Sequence, residues 1–202
     1  MIKVHVLDDC GGAYDDYVRM FKEQEGFEIT NFLEEADLLC FTGGTDINPD
    51  IYGEQPHYAT DIPDHKRDVF EESVFNASML YGVPMVGICR GSQLLYALNG
   101  GKLNQHIPNH TGPHRAKLRL SKDSPWEEMT VTSSHHQQMK YDPDLEGVEY
   151  LGLATCYHKN EVEVAHFPRT KCLCHQPHPE WMDADAPYRN YFFETLKLIL
   201  ED

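Results

Sequence analysis

The sequence predicts an α/β fold in which a mostly parallel sheet lies between two layers of helices. Strand-like and helix-like segments alternate from the N-terminus to residue 98, a pattern typical of a parallel sheet with helical crossovers. The run from Ala36 to Phe41 is mostly apolar, as expected of a strand that is covered on both faces. A second apolar run ends at Cys89, directly before leucines at helical spacing.

Each element of this first half has its own signal. We expect a strand over residues 2–7, a helix that ends at Gly26, a short strand over 27–31 and the buried strand over 36–41. Asp64 is a candidate N-cap for the next helix, which ends at Gly82. The positions of that helix expected to face the core are Phe70, Val74, Ala77 and Tyr81, with Val69, Ser73 and Leu80 beside them.

The second half favours shorter β-segments after Gly101. They are expected over residues 102–104, 118–120, 130–132 and 149–155, with a possible hairpin between 156–158 and 162–166. Cys172 and Cys174 flank Leu173, which indicates a strand with both thiols on one face rather than a metal site. The chain ends in an amphipathic helix whose core-facing positions are Tyr188, Tyr191, Phe192, Thr195, Leu198 and Ile199.

The composition is that of a globular protein, and we expect residues 1–202 to form a single domain. Asp and Glu number 33 against 17 Lys and Arg, a formal net charge of −16, which argues against nucleic acid or an anionic membrane as partner. The N-terminus is too short and too acidic for a signal peptide, and no apolar run reaches membrane-spanning length. Six cysteines without disulfide-module spacing favour reduced thiols and a cytoplasmic location.

Cys89 lies where the apolar run of residues 83–88 meets a predicted helix, between Gly87 and Gly91. A nucleophile elbow has this form, because its turn leaves no room for side chains two positions before and after the nucleophile. The elbow would place the sulfur at a helix N-terminus, which favours a thiolate, and would direct the N–H of Arg90 at an oxyanion. The alternative is a buried structural cysteine beside two incidental glycines.

Gly43 and Gly44 follow the buried strand of residues 36–41. At the carboxyl edge of a doubly wound sheet, such a turn brings backbone close to a ligand, although a plain β-turn would use the same glycines. Because an oxyanion needs two donors, a glycine N–H of this turn could act together with the N–H of Arg90.

His178 and Glu180 are the candidate partners of the thiol. Pro179 biases His178 toward an extended backbone, in which residues two apart project to the same side. An imidazole that exchanges protons with a nucleophile and a leaving amine needs a group that holds its tautomer. Cys89, His178 and Glu180 therefore suit acyl transfer from an amide through a thioester, with release of an amine or ammonia and then hydrolysis.

Two further polar segments are open to a functional interpretation. His106, His110 and His114 are spaced by four, but the prolines and glycine among them forbid the helix that would align them, so no metal site is expected. The segment from Ser133 to Gln138 is either a substrate-facing loop or a solvated turn.

Six motifs occur in succession and cover most of the chain: TGGTDINP at 42–49 with YGE at 52–54, RDVFE at 67–71, GICRGSQ at 87–93, SHHQ at 134–137, EVEV at 161–164 and QPHPE at 176–180. This set resembles the class I glutamine amidotransferase superfamily, and within it the γ-glutamyl-γ-aminobutyrate hydrolase branch, the peptidase C26 type. Pro177, where that branch usually has an aromatic residue, and Cys174-His175, where it usually has Gly-Val, depart from its pattern and leave the substrate open.

The resemblance implies a flavodoxin-like sheet, a triad of Cys89, His178 and Glu180, and an oxyanion hole from the backbone of Gly44 and Arg90. It also implies contacts to a γ-glutamyl group from Gln93, His135, His136 and Gln137. The Arg90 side chain could meet a substrate carboxylate or form a surface salt bridge. Neither a cofactor nor a metal is expected.

Three functions fit these residues. The first is a hydrolase that acts alone on the γ-glutamyl amide of a small conjugate or of glutamine. The second is a glutaminase subunit that delivers ammonia to a separate synthetase, which would then be a partner. The third is a catalytically silent binding protein, which is disfavoured because every triad position is filled.

Overall fold

The computed structural model describes residues 1–7, 14–108, 111–155 and 161–201. The first half contains β1 (Ile2–Val6), α1 (Tyr14–Glu23), β2 (Phe27–Ile29), β3 (Leu38–Phe41), α2 (His65–Tyr81), β4 (Met85–Ile88) and α3 (Arg90–Leu98). The second half contains β5 (Leu103–Asn104), β6 (Thr111–Leu118), β7 (Glu127–Ser134), β8 (Gln138–Lys140), β9 (Glu149–Ala154), β10 (Glu161–Phe167), β11 (Cys172–His175) and α4 (Pro187–Leu200).

The strands form one mixed sheet with the order β2-β1-β3-β4-β11-β10-β9-β6-β7, and β8 joins β5 to β10. The strands from β2 to β11 pair in parallel, whereas those from β11 onward pair antiparallel. This sheet confirms the predicted α/β fold with a parallel core and a β-rich second half. The end of β4, where Cys89 follows, lies between β3 and β11, inside the parallel region.

Two hydrophobic cores cover the two faces of the sheet and complete a three-layer sandwich. On one face, α1 and α4 bury aromatic side chains such as Phe21 and Phe192. On the other face, α2 and α3 bury Phe75 and Leu94. Each fully buried side chain of this size contributes about 1.5–3 kcal/mol. Packing on both faces therefore holds β4 and the residue that follows it in a fixed position.

The predicted face of α2 is wrong. Apart from Val74, the positions expected to face or flank the core are exposed, namely Phe70, Ala77, Tyr81, Val69, Ser73 and Leu80. The buried face instead begins with Arg67, Asp68 and Glu71. Hydrophobic periodicity fails here because these charges are paired within the protein, and paired charges can be buried.

Several smaller expectations are also resolved. The strand predicted at residues 118–120 is misplaced, because the observed strand β6 runs from Thr111 to Leu118. Cys172 and Cys174 lie in β11, and like Cys40 and Cys89 they are free thiols. His110, Cys10 and the hairpin partner at 156–158 lie outside the described residues. None of the helices in the described residues combines the length and the apolar character that a membrane span requires.

Candidate active site

Cys89 forms the junction between β4 and α3 with φ 54° and ψ −113°. A positive φ is unfavourable for a residue with a Cβ atom, at about 1–3 kcal/mol, so the surrounding structure must impose it. A Cβ on Gly87 would collide with the backbone of Gly91, and a Cβ on Gly91 would collide with the carbonyl of Phe41. The predicted nucleophile elbow is therefore present, and these two glycines permit its close backbone contacts.

His178 and Glu180 form a buried pair in which Nδ1 of the imidazole lies 2.6 Å from Oε1 of the carboxylate. The backbone differs from the expected extended segment, because Pro179–Trp181 is a short 3₁₀ turn that begins after His178. This turn brings the carboxylate back to the ring. The backbone N–H of His178 donates to the carbonyl of Thr132 at 3.0 Å, which ties the turn to β7.

The other ring nitrogen of His178, Nε2, is buried beside Cys89 and has no hydrogen-bond partner among the described residues. Burial disfavours the protonated ring, but the negative charges of Cys89 and Glu180 outweigh burial and raise the pKa of His178 to about 10. An imidazolium between a sulfur and a carboxylate is the arrangement that supports a thiolate nucleophile and holds a proton ready for a leaving group.

The turn at Gly43 and Gly44 lies against Cys89 and His178. A Cβ on Gly43 would lie 3.6 Å from Cβ of Cys89 and 3.5 Å from Cε1 of His178. The N–H of Gly43 donates to the hydroxyl of Tyr17 at 3.0 Å. Burial, followed by the charges of Glu180 and Cys89, raises the pKa of Tyr17, so its hydroxyl stays neutral.

The two backbone donors expected at an oxyanion hole are unpaired in the part of the chain that the structure describes. Among the described residues, no hydrogen-bond acceptor takes the N–H of Gly44 or that of Arg90. A Cβ on Gly44 would lie 3.3 Å from Cδ of Arg90, so the two residues are neighbours. Unpaired donors beside a nucleophile are available to an oxygen that becomes negative during a reaction.

The side chain of Arg90 takes neither of its two expected roles. It is 1% exposed, and its Nη2 lies 2.5 Å from Oδ1 of Asp68, while Nη1 pairs with Glu71. The guanidinium is therefore part of a buried ion-pair cluster, and it is neither a surface salt bridge nor free to meet a substrate carboxylate. Sequence spacing could not predict this, because the partners lie on α2.

The segment around residues 133–138 is mostly buried, which excludes the solvated turn. Nε2 of Gln93 donates to the carbonyl of Gln137 at 2.9 Å and to Oε1 of Gln176 at 3.3 Å, so Gln93 ties this segment to α3. The side-chain amide of Gln137 is buried and has no hydrogen-bond partner among the described residues. A buried amide of this kind is costly unless a polar ligand or water meets it. His135 is buried as well.

One group among the described residues has ligand atoms close enough to hold a metal ion: Asp46, Asp61 and His136, within 4.8 Å of one another. Nε2 of His136 lies 3.1 Å from Oδ2 of Asp46, and the same oxygen accepts the backbone N–H of Asp61 at 2.8 Å. Hydrogen bonds between these groups account for the contacts without a metal.

The histidines of the 106–114 segment that the structure describes have separate partners. Nδ1 of His106 lies 3.5 Å from Nδ1 of His136, whereas Nε2 of His114 lies 3.0 Å from Oε1 of Glu163. The third member, His110, lies outside the described residues.

Sequence reasoning assigns no role to three residues that have contacts at this site. Tyr17 is indistinguishable from the other apolar positions of α1, and Arg67 lies in a motif to which spacing assigns no task. Trp181 stacks on the ring of His178. Its position directly after Glu180 is the only signal that could have found it.

These features define a class: an α/β protein with a cysteine at a nucleophile elbow and a buried histidine–glutamate pair beside it. The peptidase C26 family model matches residues 17–180, and the chain belongs to the peptidase C26 family.

Named relatives support this membership. One relative is the glutamine amidotransferase-like protein YvdE of Lactococcus lactis subsp. lactis, which is 31% identical over 170 residues. Its name marks the amidotransferase assignment as provisional. The match covers 75% of this chain and 69% of that protein. A Mycobacterium tuberculosis protein, provisionally named a glutamine amidotransferase, is 44% identical over 87 residues, which are 42% of this chain and only 28% of that protein.

Solved structures show the same fold. A glutamine amidotransferase from Thermotoga maritima superposes with a TM-score of 0.60 at 16% identity, over 99% of this chain and 89% of that one. The glutaminase domain of Trypanosoma brucei CTPS with bound acivicin gives 0.65 at 13% identity, over 100% and 95%. The architecture is thus that of the class I glutamine amidotransferases.

Proposed function

We propose that this chain is a cysteine-dependent hydrolase that cleaves the γ-glutamyl amide bond of a small conjugate or of glutamine. The observation that carries the proposal is the buried imidazole of His178 beside Cys89, with Nδ1 held by Glu180 and Nε2 without a hydrogen-bond partner among the described residues. The glutamine amidotransferase names of the relatives support an amide as the bond that is cleaved.

In the proposed reaction, the Cys89 thiolate attacks the γ-carbonyl carbon and forms a tetrahedral intermediate. Its oxyanion accepts hydrogen bonds from the N–H groups of Gly44 and Arg90, each worth about 10²–10³-fold in rate. His178 gives its proton to the nitrogen as the C–N bond breaks, which leaves a thioester and a free amine. Water then gives a proton to the neutral His178 and attacks the thioester. Collapse of this second intermediate releases glutamate and restores the thiolate and imidazolium.

A second candidate function is a glutaminase subunit that supplies ammonia to a separate synthetase. It is favoured by the similarity of the whole chain to a glutaminase domain of CTPS and by a match to the structure of PurLQS from Thermotoga maritima, with a TM-score of 0.65. The active-site chemistry is the same in both functions. They differ in whether the chain works alone and in which amine leaves.

The test uses the purified chain with a panel of γ-glutamyl amides of primary amines and with free glutamine. Cys89→Ala should abolish amine release and acylation, read by intact mass, while Cys172→Ala, a buried thiol in β11, should retain both. Turnover that survives in Cys89→Ala would refute the mechanism. Faster turnover of γ-glutamyl amines than of glutamine favours the hydrolase, and weak glutaminase activity that rises with an added synthetase favours the subunit. A wild-type protein that no substrate acylates would be a binding protein.

A further inference from the structure

We propose that Arg67 and Glu71 are positioning residues that hold both donors of the oxyanion hole in place. The proposal rests on the proposed function, because it concerns the same reaction. It assigns a task to the polar buried face of α2, which hydrophobic periodicity fails to explain.

Arg67 holds the peptide that carries the first donor. Its Nη1 donates to the carbonyl of Gly43 at 3.0 Å, and its Nη2 donates to the carbonyl and hydroxyl oxygens of Thr42 at 3.1 and 3.0 Å. The carbonyl of Gly43 and the N–H of Gly44 belong to one planar trans peptide, so they point in opposite directions. A hydrogen bond that fixes this carbonyl therefore also fixes the direction of the Gly44 N–H.

Such a constraint matters at this turn because two consecutive glycines offer little resistance to rotation of the peptide between them. The guanidinium lies directly against Gly44, since a Cβ at that position would collide with Nη1 of Arg67. The arginine and the glycine therefore form one unit. The absence of a side chain at Gly44 leaves room for the guanidinium of Arg67. The guanidinium in turn restricts rotation of the peptide between Gly43 and Gly44.

Glu71 connects this unit to the second donor. Its Oε1 accepts from Nε of Arg67 at 2.9 Å, and its Oε2 accepts from Nη1 of Arg90. Arg90 is the first residue of α3, and its own backbone N–H is the second proposed donor. One carboxylate thus binds the side chain that orients Gly44 and the side chain of the residue that carries the other donor.

Stability alone is a weak reason for these charges. Arg67, Glu71 and Arg90 are 5%, 1% and 1% exposed, and with Asp68 they form a set with no net charge. Apolar residues of similar volume often stabilise a protein as well as such a buried set does. Apolar side chains cannot donate to the carbonyls of Thr42 and Gly43, however, and this capacity is what an oxyanion hole requires.

The experiment separates oxyanion stabilisation from the reactivity of the sulfur. We would compare wild type with Arg67→Met, Arg67→Lys and Glu71→Gln for hydrolysis of a γ-glutamyl amide, for alkylation by iodoacetamide and for affinity of a γ-glutamyl aldehyde. Alkylation is a displacement at carbon that forms no oxyanion, whereas the aldehyde forms a thiohemiacetal whose oxygen occupies the hole. Arg189→Met is the matched control. Arg189 is a buried arginine that donates to the carbonyl of Met20 at 3.0 Å and pairs with Glu23.

For Arg67→Met we expect kcat to fall about 10²–10³-fold with little change in KM, the magnitude of one lost donor. Aldehyde affinity should fall in parallel, and the alkylation rate should stay within about twofold, since the donors act on the oxyanion alone. Arg67→Lys should recover part of kcat. The control should change none of the three readouts.

An Arg67→Met protein that is folded and fully active would overturn the proposal, and so would equal losses of hydrolysis and alkylation. If that variant does not fold, the nearly isosteric Glu71→Gln replaces it, with the same readouts deciding. If wild type alkylates and binds the aldehyde but releases no amine, the proposed function fails while the aldehyde affinities still test the positioning role. A wild type that does not bind the aldehyde contradicts the oxyanion hole itself.

Discussion

The imidazole of His178 lies flat on the indole of Trp181, with ring centroids 3.6 Å apart and ring planes 7° from parallel. A protonated imidazole on the face of an indole is attracted by the ring quadrupole, at about 0.5–2 kcal/mol. Trp181 is 48% exposed, whereas His178 is 4% exposed, so the indole covers the imidazole. The stack therefore acts on the orientation of the ring and on its charge.

Removing this stack should change the pH dependence of the reaction. In Trp181→Leu the protonated form of His178 loses about 1 kcal/mol of stabilisation, equivalent to about 0.7 pH units. Activity that needs this proton is lost as pH rises through the pKa of about 10, so the upper limit of the kcat profile should move to lower pH. Trp181→Phe should keep the upper limit close to that of wild type, because the phenyl ring retains most of the stack. Replacing the other tryptophan, in Trp126→Phe, should have no effect. An unchanged upper limit in Trp181→Leu would contradict this role.

The hydroxyl of Tyr17 is the acceptor of the Gly43 N–H, so Tyr17→Phe leaves a buried donor unpaired. We expect the free energy of unfolding to fall by about 1–3 kcal/mol and kcat to fall with it, because the turn beside Cys89 loosens. Tyr96→Phe is a matched control, since its hydroxyl donates to the carbonyl of Lys140 at 2.7 Å. Urea unfolding should show losses in both variants, and kcat should fall only in the first. If the kcat of Tyr17→Phe equals that of Tyr96→Phe, the role of Tyr17 is structural alone.

How far the sequence predicts the structure depends on whether a signal is local. The elbow at Cys89 is predicted because a strand, a helix and two flanking glycines are adjacent in the chain. The tight turn explains Gly87, as expected, whereas Gly91 is needed for a different reason, its contact with the carbonyl of Phe41 on β3. The proximity of His178 and Glu180 is local as well. The expected reason was an extended backbone, whereas a 3₁₀ turn brings the two side chains together.

Contacts between distant segments could not be predicted in this way. The inward face of α2 is chosen by the pairing of Glu71 with Arg90, a residue 19 positions away, and this contact outweighs the apolar stripe that includes Phe70. The same reason hides the role of Tyr17, whose partner Gly43 lies 26 positions away. Periodicity reports how hydrophobic a face is. It does not report which charges have a partner.

His175 should make the protein sensitive to acid. This fully buried residue of β11 places Nδ1 2.8 Å from the hydroxyl of Tyr188 and Nε2 3.2 Å from Oγ1 of Thr195, and burial lowers the pKa of His175 to about 3. In the unfolded chain the ordinary pKa is about 6.5, so between these values only the unfolded state binds the proton. The stability contributed by the neutral ring is therefore fully present above pH about 6.5. It is lost as the pH decreases below that value, by up to about 1.4 kcal/mol per pH unit.

His175→Gln should reduce this slope whatever its effect on stability at pH 7. Urea unfolding at several pH values between 7 and 4 measures the slope, and the exposed His57→Gln serves as the control. The carboxylates titrate equally in all three proteins, so the difference between slopes isolates the imidazole. Parallel slopes for His175→Gln and wild type would show that His175 does not titrate in this window.

The contact of His136 with Asp46 should persist without a metal ion. Asp46 is buried and its Oδ2 accepts both Nε2 of His136 and the N–H of Asp61, so these groups form a complete network. Dialysis against EDTA or 1,10-phenanthroline should leave kcat and Tm unchanged. Asp46→Asn should lower Tm, because an amide accepts the hydrogen bonds of His136 and of the Asp61 N–H more weakly than a carboxylate does, whereas Asp61→Asn at an exposed position should change it little. Loss of activity on chelation that added Zn²⁺ restores in wild type, and fails to restore in Asp61→Asn, would instead assign a metal site to these three residues.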